Sequence, residues 1–142
     1  MSLVLHFDFH ADGSVMLMND HYTPASVAES LLAFSQLRAP KSVADFCVGD
    51  GSLIDAACRR WPDVGVFVSD IDPLALAASK ARFPKARSAH YDFLSPTKLS
   101  PTETLNLEPF DLVLLNPPFT NRGNTRFRPV GVFRERLKNL AL

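Results

Sequence analysis

No apolar run in the 142-residue chain approaches the roughly 20 residues that a membrane-spanning helix requires. A secretory signal, with its basic start and apolar centre, is also missing. Both absences lead to the expectation of a cytoplasmic protein with no membrane partner. Cysteine is scarce: Cys47 and Cys58 lack metal-site spacing and suggest no disulfide framework. His6, His10 and His21 match no strong metal template, so no metal is expected. An excess of one charge is lacking overall, with 15 Lys and Arg against 15 Asp and Glu. What remains is the composition of an ordinary globular protein, with length for one domain and a real core.

The zero net charge hides an asymmetry. Through Asn116 there are nine Lys and Arg against fourteen Asp and Glu, a balance of −5. From Pro117 onward, five arginines and Lys138 stand against Glu135 alone, a balance of +5. A basic segment of this kind suits either a nucleic-acid backbone or a solvated tail.

The stretch Leu112-Val113-Leu114-Leu115-Asn116-Pro117-Pro118-Phe119 is the most informative. Its apolar run has strand length and no alternation, the pattern of a parallel strand buried on both faces. The two prolines force the chain out of the sheet. Asn116, preceding proline, is held extended. An amide, two rigid carbonyls and an aromatic ring are thus presented at the carboxyl end of a strand, where open α/β sheets bind ligands. A sharp turn after a core strand would use the same residue types.

Three earlier stretches fit the same architecture. Lys41 to Cys47 reads as a strand leading into Asp45-Phe46-Cys47-Val48-Gly49-Asp50-Gly51 and a helix from Ser52 to Trp61. That is the layout of a nucleotide-binding crossover, in which glycines allow tight turning and close backbone approach. Val64 to Val68 is a second buried strand, ending at Ser69-Asp70-Ile71-Asp72. An acid about twenty residues beyond the glycines is placed to accept from ribose hydroxyls. Arg87 to Tyr91 is a third strand, followed by Asp92-Phe93.

Asn-Pro-Pro-Phe at a strand end, with these motifs before it in order, resembles the S-adenosylmethionine-dependent DNA adenine-N6 methyltransferases. The resemblance covers about residues 21–120 and implies a Rossmann-like class I α/β fold. Its mostly parallel sheet would have strand order 3-2-1-4, incomplete after the fourth strand, with right-handed crossovers. The implied cofactor is S-adenosyl-L-methionine and the implied partner is DNA, with adenine as target. Asn116 and Pro117 would accept hydrogen bonds from the target amine, within the rigid Asn116-Pro117-Pro118 turn. Phe119 would stack on the extruded base. The cofactor would lie against Tyr22 and Thr23, the loop from Asp45 through Cys47, Gly49 and Gly51, and the pairs Asp70-Ile71 and Asp92-Phe93. Phe46 stands where the family usually has proline. N-methyltransferases acting on RNA or on a protein glutamine use a similar motif, and a non-catalytic cofactor-binding or assembly module is a third reading.

The rest of the chain fills in around this core. Leu5 to Met18 alternates around Ala11-Asp12-Gly13-Ser14 and reads as a hairpin. Thr23 suits the N-cap and Pro24 the first position of a helix whose apolar face is Val27, Leu31, Leu32, Phe34 and Leu37. Asp72 and Pro73 open a helix to about Phe83, with Leu74, Ala77, Ala78 and Ala81 for packing. Ser95 to Pro109 reads as loop with at most a short helix. A basic loop, Thr120 to Pro129, precedes a terminal amphipathic helix, Val130 to Leu142. Residues 1–142 are therefore expected to form one partial domain, comprising an extension (1–20), a core (21–120) and a basic end (121–142). The fourth strand would lie at an exposed edge, to be completed by more of a larger enzyme, by self-association or by a partner chain.

Overall fold

The computed structural model describes residues 22–94, 99 and 101–117, and residues 3–6 as backbone. Five strands form one parallel sheet: β1 (Leu3–His6), β2 (Ser42–Asp45), β3 (Gly65–Asp70), β4 (Arg87–His90) and β5 (Leu112–Leu115). Three helices, α1 (Ala25–Phe34), α2 (Ser52–Arg60) and α3 (Pro73–Arg82), and the short α4 (Pro101–Thr104) connect them. The spatial order is β1-β5-β2-β3-β4. From β4 to β5 this is the expected 3-2-1-4 arrangement, counted from Ser42–Asp45.

The fourth of those strands, β5, is not an edge. Leu3–His6 pairs with it in parallel, residue for residue from Leu3 with Leu112 to His6 with Leu115. The expectation of an uncovered fourth strand is corrected on this point. The first residues of the expected hairpin lie beside β5, and its turn at 11–14 lies outside the described residues. Also outside them are His10, His21, Pro118, Phe119, the basic loop and the terminal helix.

The sheet works because β5 is apolar on both faces. Leu112 and Leu114 pack with Val43, Val68 and the buried sides of α1, α2 and α3. Val113 and Leu115 face the other way, into Ala44, Phe46, Phe67, Tyr91 and Phe93. All four β5 residues are buried, which contributes about 1.5–3 kcal/mol for each large side chain. Aromatic rings dominate the second layer: Phe46 lies 5.6 Å from Phe67, 5.8 Å from Phe93 and 6.3 Å from Phe110, centroid to centroid. The segment after β4 supplies Tyr91, Phe93, Leu94, Leu105, Leu107 and Phe110 to this layer, so the chain crosses to the opposite face before returning as β5. The strand order therefore reverses between β2 and β5, which makes the crevice above them the place for a ligand.

Two helices differ from their expected form. Thr23 is not the N-cap of α1; Pro24 holds that position, and its carbonyl accepts from Val27 N and Ala28 N at 2.9 and 3.0 Å. The Thr23 hydroxyl is used elsewhere. Within α1, Ala28 and Leu32 are buried, whereas Phe34 is 84% exposed. In α3 the Asp72 carboxylate accepts from Leu74 N at 2.9 Å and Pro73 occupies the first turn, as expected. Leu76 and Ser79 face the core with Phe83 half-buried, while Leu74, Ala77, Ala78 and Ala81 point outward.

Candidate functional site

Three strand ends, β2, β3 and β4, deliver Asp45, Asp70 and, two residues past the strand, Asp92 to one rim of the sheet. The loop after β2 is shaped by these acids. Asp45 Oδ1 accepts from Cys47 N at 2.9 Å, turning the chain immediately after the strand. Val48 N then donates to Ser69 O at 3.0 Å, so the loop stays stitched to β3. Gly49 N donates to Asp70 Oδ2 at 2.8 Å, and Asp70 Oδ1 accepts from Asp72 N at 2.9 Å. One carboxylate thus anchors both the glycine loop and the exit from β3.

Gly49 and Gly51 have φ of +49° and +80°, a region that L side chains avoid. Gly51 then caps α2, as the strand–loop–helix pattern anticipates. A Cβ on Gly49 would approach the Tyr22 ring to 2.7 Å. Tyr22 therefore lies directly across the glycine loop, which brings the residues before α1 into the site.

Burial separates the rim from its supports. Asp45 is only 1% exposed, and burial, opposed by its bond from Cys47 and reinforced by Asp70 and Asp50, raises its pKa to about 7. Its role in this structure is to hold the loop from beneath. Burial likewise pushes the Cys47 thiol well above its usual range, with Asp45, Asp70 and Asp92 adding to the effect. Cys47 is thus a poor nucleophile. Phe93 stacks on Phe46 inside the core and supports the strand end from below. By contrast, Asp92 is exposed and Ile71 is 56% exposed beside Asp70. His90 Nε2 lies 2.8 Å from the Ile71 carbonyl and steadies that turn.

The β5 end completes the crevice. Asn116 follows the strand directly and Pro117 is buried behind it. Asn116 Nδ2 donates to Thr23 Oγ1 at 3.0 Å. Thr23 is itself buried. The Tyr22-Thr23-Pro24 segment thus touches the glycine loop through Tyr22 and the asparagine through Thr23.

At the opposite end of the sheet, the Asp111 carboxylate accepts from Lys41 N at 2.7 Å and Ser42 N at 3.1 Å. Asp111 N donates back to Ser42 Oγ at 3.1 Å. These bonds fix how far β5 slides along β2, and so the height of Asn116 above Asp45. Sequence reading missed Asp111, because its partners lie about seventy positions away and leave no local signal.

A family model for the methyltransferase small domain matches residues 26–135, most of the chain. The chain belongs to the methyltransferase small-domain family. Across the family's shared core it is 33% identical over 104 residues to an uncharacterized protein of Mycoplasma pneumoniae, the MG259 homolog. That match covers 72% of this chain and 22% of the relative. It is 28% identical over 112 residues to the release factor glutamine methyltransferase of Clostridium acetobutylicum, covering 79% of this chain and 39% of that protein. The chain thus spans well under half the length of these curated relatives. The fold matches TrmN from Thermus thermophilus with a TM-score of 0.60 at 18% identity, over 82% of this chain and 33% of that one.

S-adenosyl-L-methionine is the cofactor of this methyltransferase small-domain chain. The residues present fit it. Its sulfonium and ammonium groups are cationic and its ribose carries two hydroxyl donors; the rim offers the Asp70 and Asp92 carboxylates. The positive-φ loop brings bare backbone to the same rim, and Ile71 supplies an exposed apolar face beside Asp70. Tyr22 and Thr23 close the side nearest Asn116.

Proposed function

We propose that this chain is the cofactor-binding and catalytic-motif unit of an N-methyltransferase whose acceptor is a planar –NH2 nitrogen. The observation that carries this reading is the position of Asn116. Its amide stands at the switch point of the sheet, tied to Thr23, whose neighbour Tyr22 borders the glycine loop. The cofactor supplies an electrophilic methyl on a positively charged sulfur. The chain's own residues bind and orient. Asp70 and the glycine loop hold the donor in the crevice. The Asn116 side-chain oxygen and the Pro117 carbonyl accept the two N–H bonds of the acceptor, which turns its lone pair out of conjugation and toward the methyl. The new N–C bond forms as the S–C bond breaks, its electron pair stays on sulfur, and the nitrogen's surplus proton passes to solvent.

Among acceptors with this chemistry, two are favoured by particular observations. A glutamine carboxamide in a protein is favoured by the similarity to a glutamine methyltransferase that runs through most of the chain. The N6 amine of adenine in DNA is the second reading, favoured by Phe119 after the two prolines, by Thr23-Pro24 before the cofactor loop and by the basic balance from Pro117 onward. The test is methyl transfer, followed by mass spectrometry, onto a glutamine peptide, an adenine-containing DNA and an RNA of the same sequence. Methylation of the peptide amide supports the first reading. Methylation of DNA alone replaces it with the second, and transfer only to an oxygen or carbon acceptor removes both.

A further inference from the structure

We infer that Arg82, the last residue of α3, is a positioning residue for S-adenosylmethionine: its guanidinium holds the Asp50–Gly51 peptide of the glycine loop in the form that receives the cofactor. The inference rests on the reading above, in which the glycine loop helps hold the donor, and deepens it. A guanidinium only donates and a carbonyl only accepts, so the direction of the bond between them is fixed. Arg82 Nη1 donates to Asp50 O at 2.8 Å. Its Nη2 lies 3.1 Å from Asp55 Oδ1 in the first turn of α2. The planar fork thus ties the loop to the helix that follows it. The N–H of the same peptide, Gly51 N, donates to Val48 O at 2.8 Å. Both polar ends of the Asp50–Gly51 peptide are therefore held. The Asp50 carboxylate is turned away to Ser52, accepting from its N–H at 3.0 Å and its hydroxyl at 2.7 Å.

The residue after Arg82 acts on the same spot. A Cβ on Gly51 would meet the Phe83 ring at 2.8 Å and Arg82 Nη1 at 3.8 Å. Arg82 Cζ in turn lies over the Phe83 ring, 5.4 Å from its centroid. Arginine and ring therefore bracket the outer side of the loop together. Two glycines give this loop many conformations of similar energy, so contacts from elsewhere must select one. Asp70 selects at Gly49, through the Gly49 N–H. Arg82 and Phe83 select at Asp50 and Gly51. Asp70 stands just before α3 and Arg82 ends it, so one strand–helix unit grips the loop at two points. A loop already ordered costs less to order on binding. The same surface contains its own comparison: Arg59 of α2 pairs with Asp55 at 3.2 Å and Glu29 at 3.0 Å rather than with the loop.

The test uses the 142-residue protein. Arg82→Met keeps the stem and removes every guanidinium donor. Arg59→Met is the control, removing two ion pairs from the same surface. The Arg82 and Arg59 side chains are 43% and 53% exposed, so neither change opens the core, and melting temperatures should stay close to wild type. Two quantities are read: S-adenosylmethionine affinity by calorimetry, and hydrogen exchange at the assigned Gly51 amide. In Arg82→Met affinity should fall about three- to tenfold, the scale of one charge-assisted bond at a partly exposed site. Gly51 exchange should quicken at least about threefold. In Arg59→Met both should stay within about twofold of wild type. With an acceptor from the assay above, Arg82→Met should raise KM for S-adenosylmethionine by the same factor as its affinity loss, with kcat at saturating cofactor within about twofold. Wild-type affinity or unchanged Gly51 exchange in Arg82→Met overturns the inference. So does a lowered kcat at unchanged KM, or an equal loss of affinity in Arg59→Met. A wild-type protein that binds no S-adenosylmethionine counts against the cofactor site of the proposed function, while Gly51 exchange still decides whether Arg82 holds the loop.

Discussion

Asp70 accepts the Gly49 N–H at 2.8 Å, across 21 positions of sequence, and so one carboxylate both shapes the glycine loop and lines the same rim. Asp70→Ala should weaken S-adenosylmethionine binding about ten- to a hundredfold, as expected for loss of charge-assisted hydrogen bonds of roughly 1.5–3 kcal/mol. Titration calorimetry is the measurement. Asp72→Ala is the matched control: it removes the cap of α3, costs about 1 kcal/mol in stability, and should leave binding within about twofold. Equal losses of binding in the two variants would show that loop order, not the Asp70 position, governs affinity.

Asn116→Ala should separate binding from transfer. In the proposed reading the amide faces the acceptor rather than the donor, so cofactor affinity should change by less than about threefold. Transfer should fall by roughly a hundredfold or more, the scale seen when one aligned hydrogen-bonding group is lost from an active site. Single-turnover measurements at saturating cofactor would check this, and near-normal rates would remove Asn116 from the chemistry.

Gly49→Ala tests the contact between the glycine loop and Tyr22. The new Cβ would sit 2.7 Å from the Tyr22 ring in a backbone with φ of +49°. The expected cost is about 1–3 kcal/mol, read from thermal or urea unfolding. Tyr22→Ala in the same chain should recover the steric part and leave the backbone part. A double-mutant cycle separates the two, and strict additivity would mean that the ring does not rest on the loop.

Asp45 makes a prediction with a definite sign. Its pKa is about 7 in the folded protein against 3.8 as the ordinary value, so the native state holds this proton more tightly. Its stabilising contribution is fully present below pH 4 and is lost as pH rises toward and through 7. Asp45→Asn preserves an oxygen for Cys47 N and cannot ionise. The variant should therefore gain on wild type between pH 5 and pH 8, by an amount on the order of a few kcal/mol. Parallel stability–pH curves for the two proteins would contradict this.

What could be read from the sequence was local. The apolar run Leu112 to Leu115, the glycines after Asp45 and the acid after Val68 each carry their pattern within a few residues. Their order along the chain then limits the sheet to few arrangements. The readings that changed depend on distant partners. Thr23 looks like a helix cap until Asn116 is brought beside it. Leu74, Ala77, Ala78 and Ala81 make as good a stripe as Leu76 and Ser79 in an alanine-rich helix, and only packing against the sheet decides between them. Phe93 and Asp45 carry motif signatures, and what the sequence does not show is that both are buried, one stacked on Phe46 and one beneath the glycine loop. Parallel pairing of Leu3–His6 with β5 has no local signature, since a turn never joins two such strands directly.

That last pairing bears on the order in which the protein assembles. Leu3–His6 is made well before its strand partner, Leu112–Leu115, which follows more than a hundred residues later. Contacts so remote in sequence carry a large loop-closure entropy and form late. The β2–β3–β4 unit can therefore form during synthesis, while β5 waits for its own emergence and β1 waits for β5. Asn116, at the tip of β5, reaches its final surroundings only when β5 has joined β2 and Thr23 lies beside it, so the crevice at the switch point of the sheet is completed late in folding.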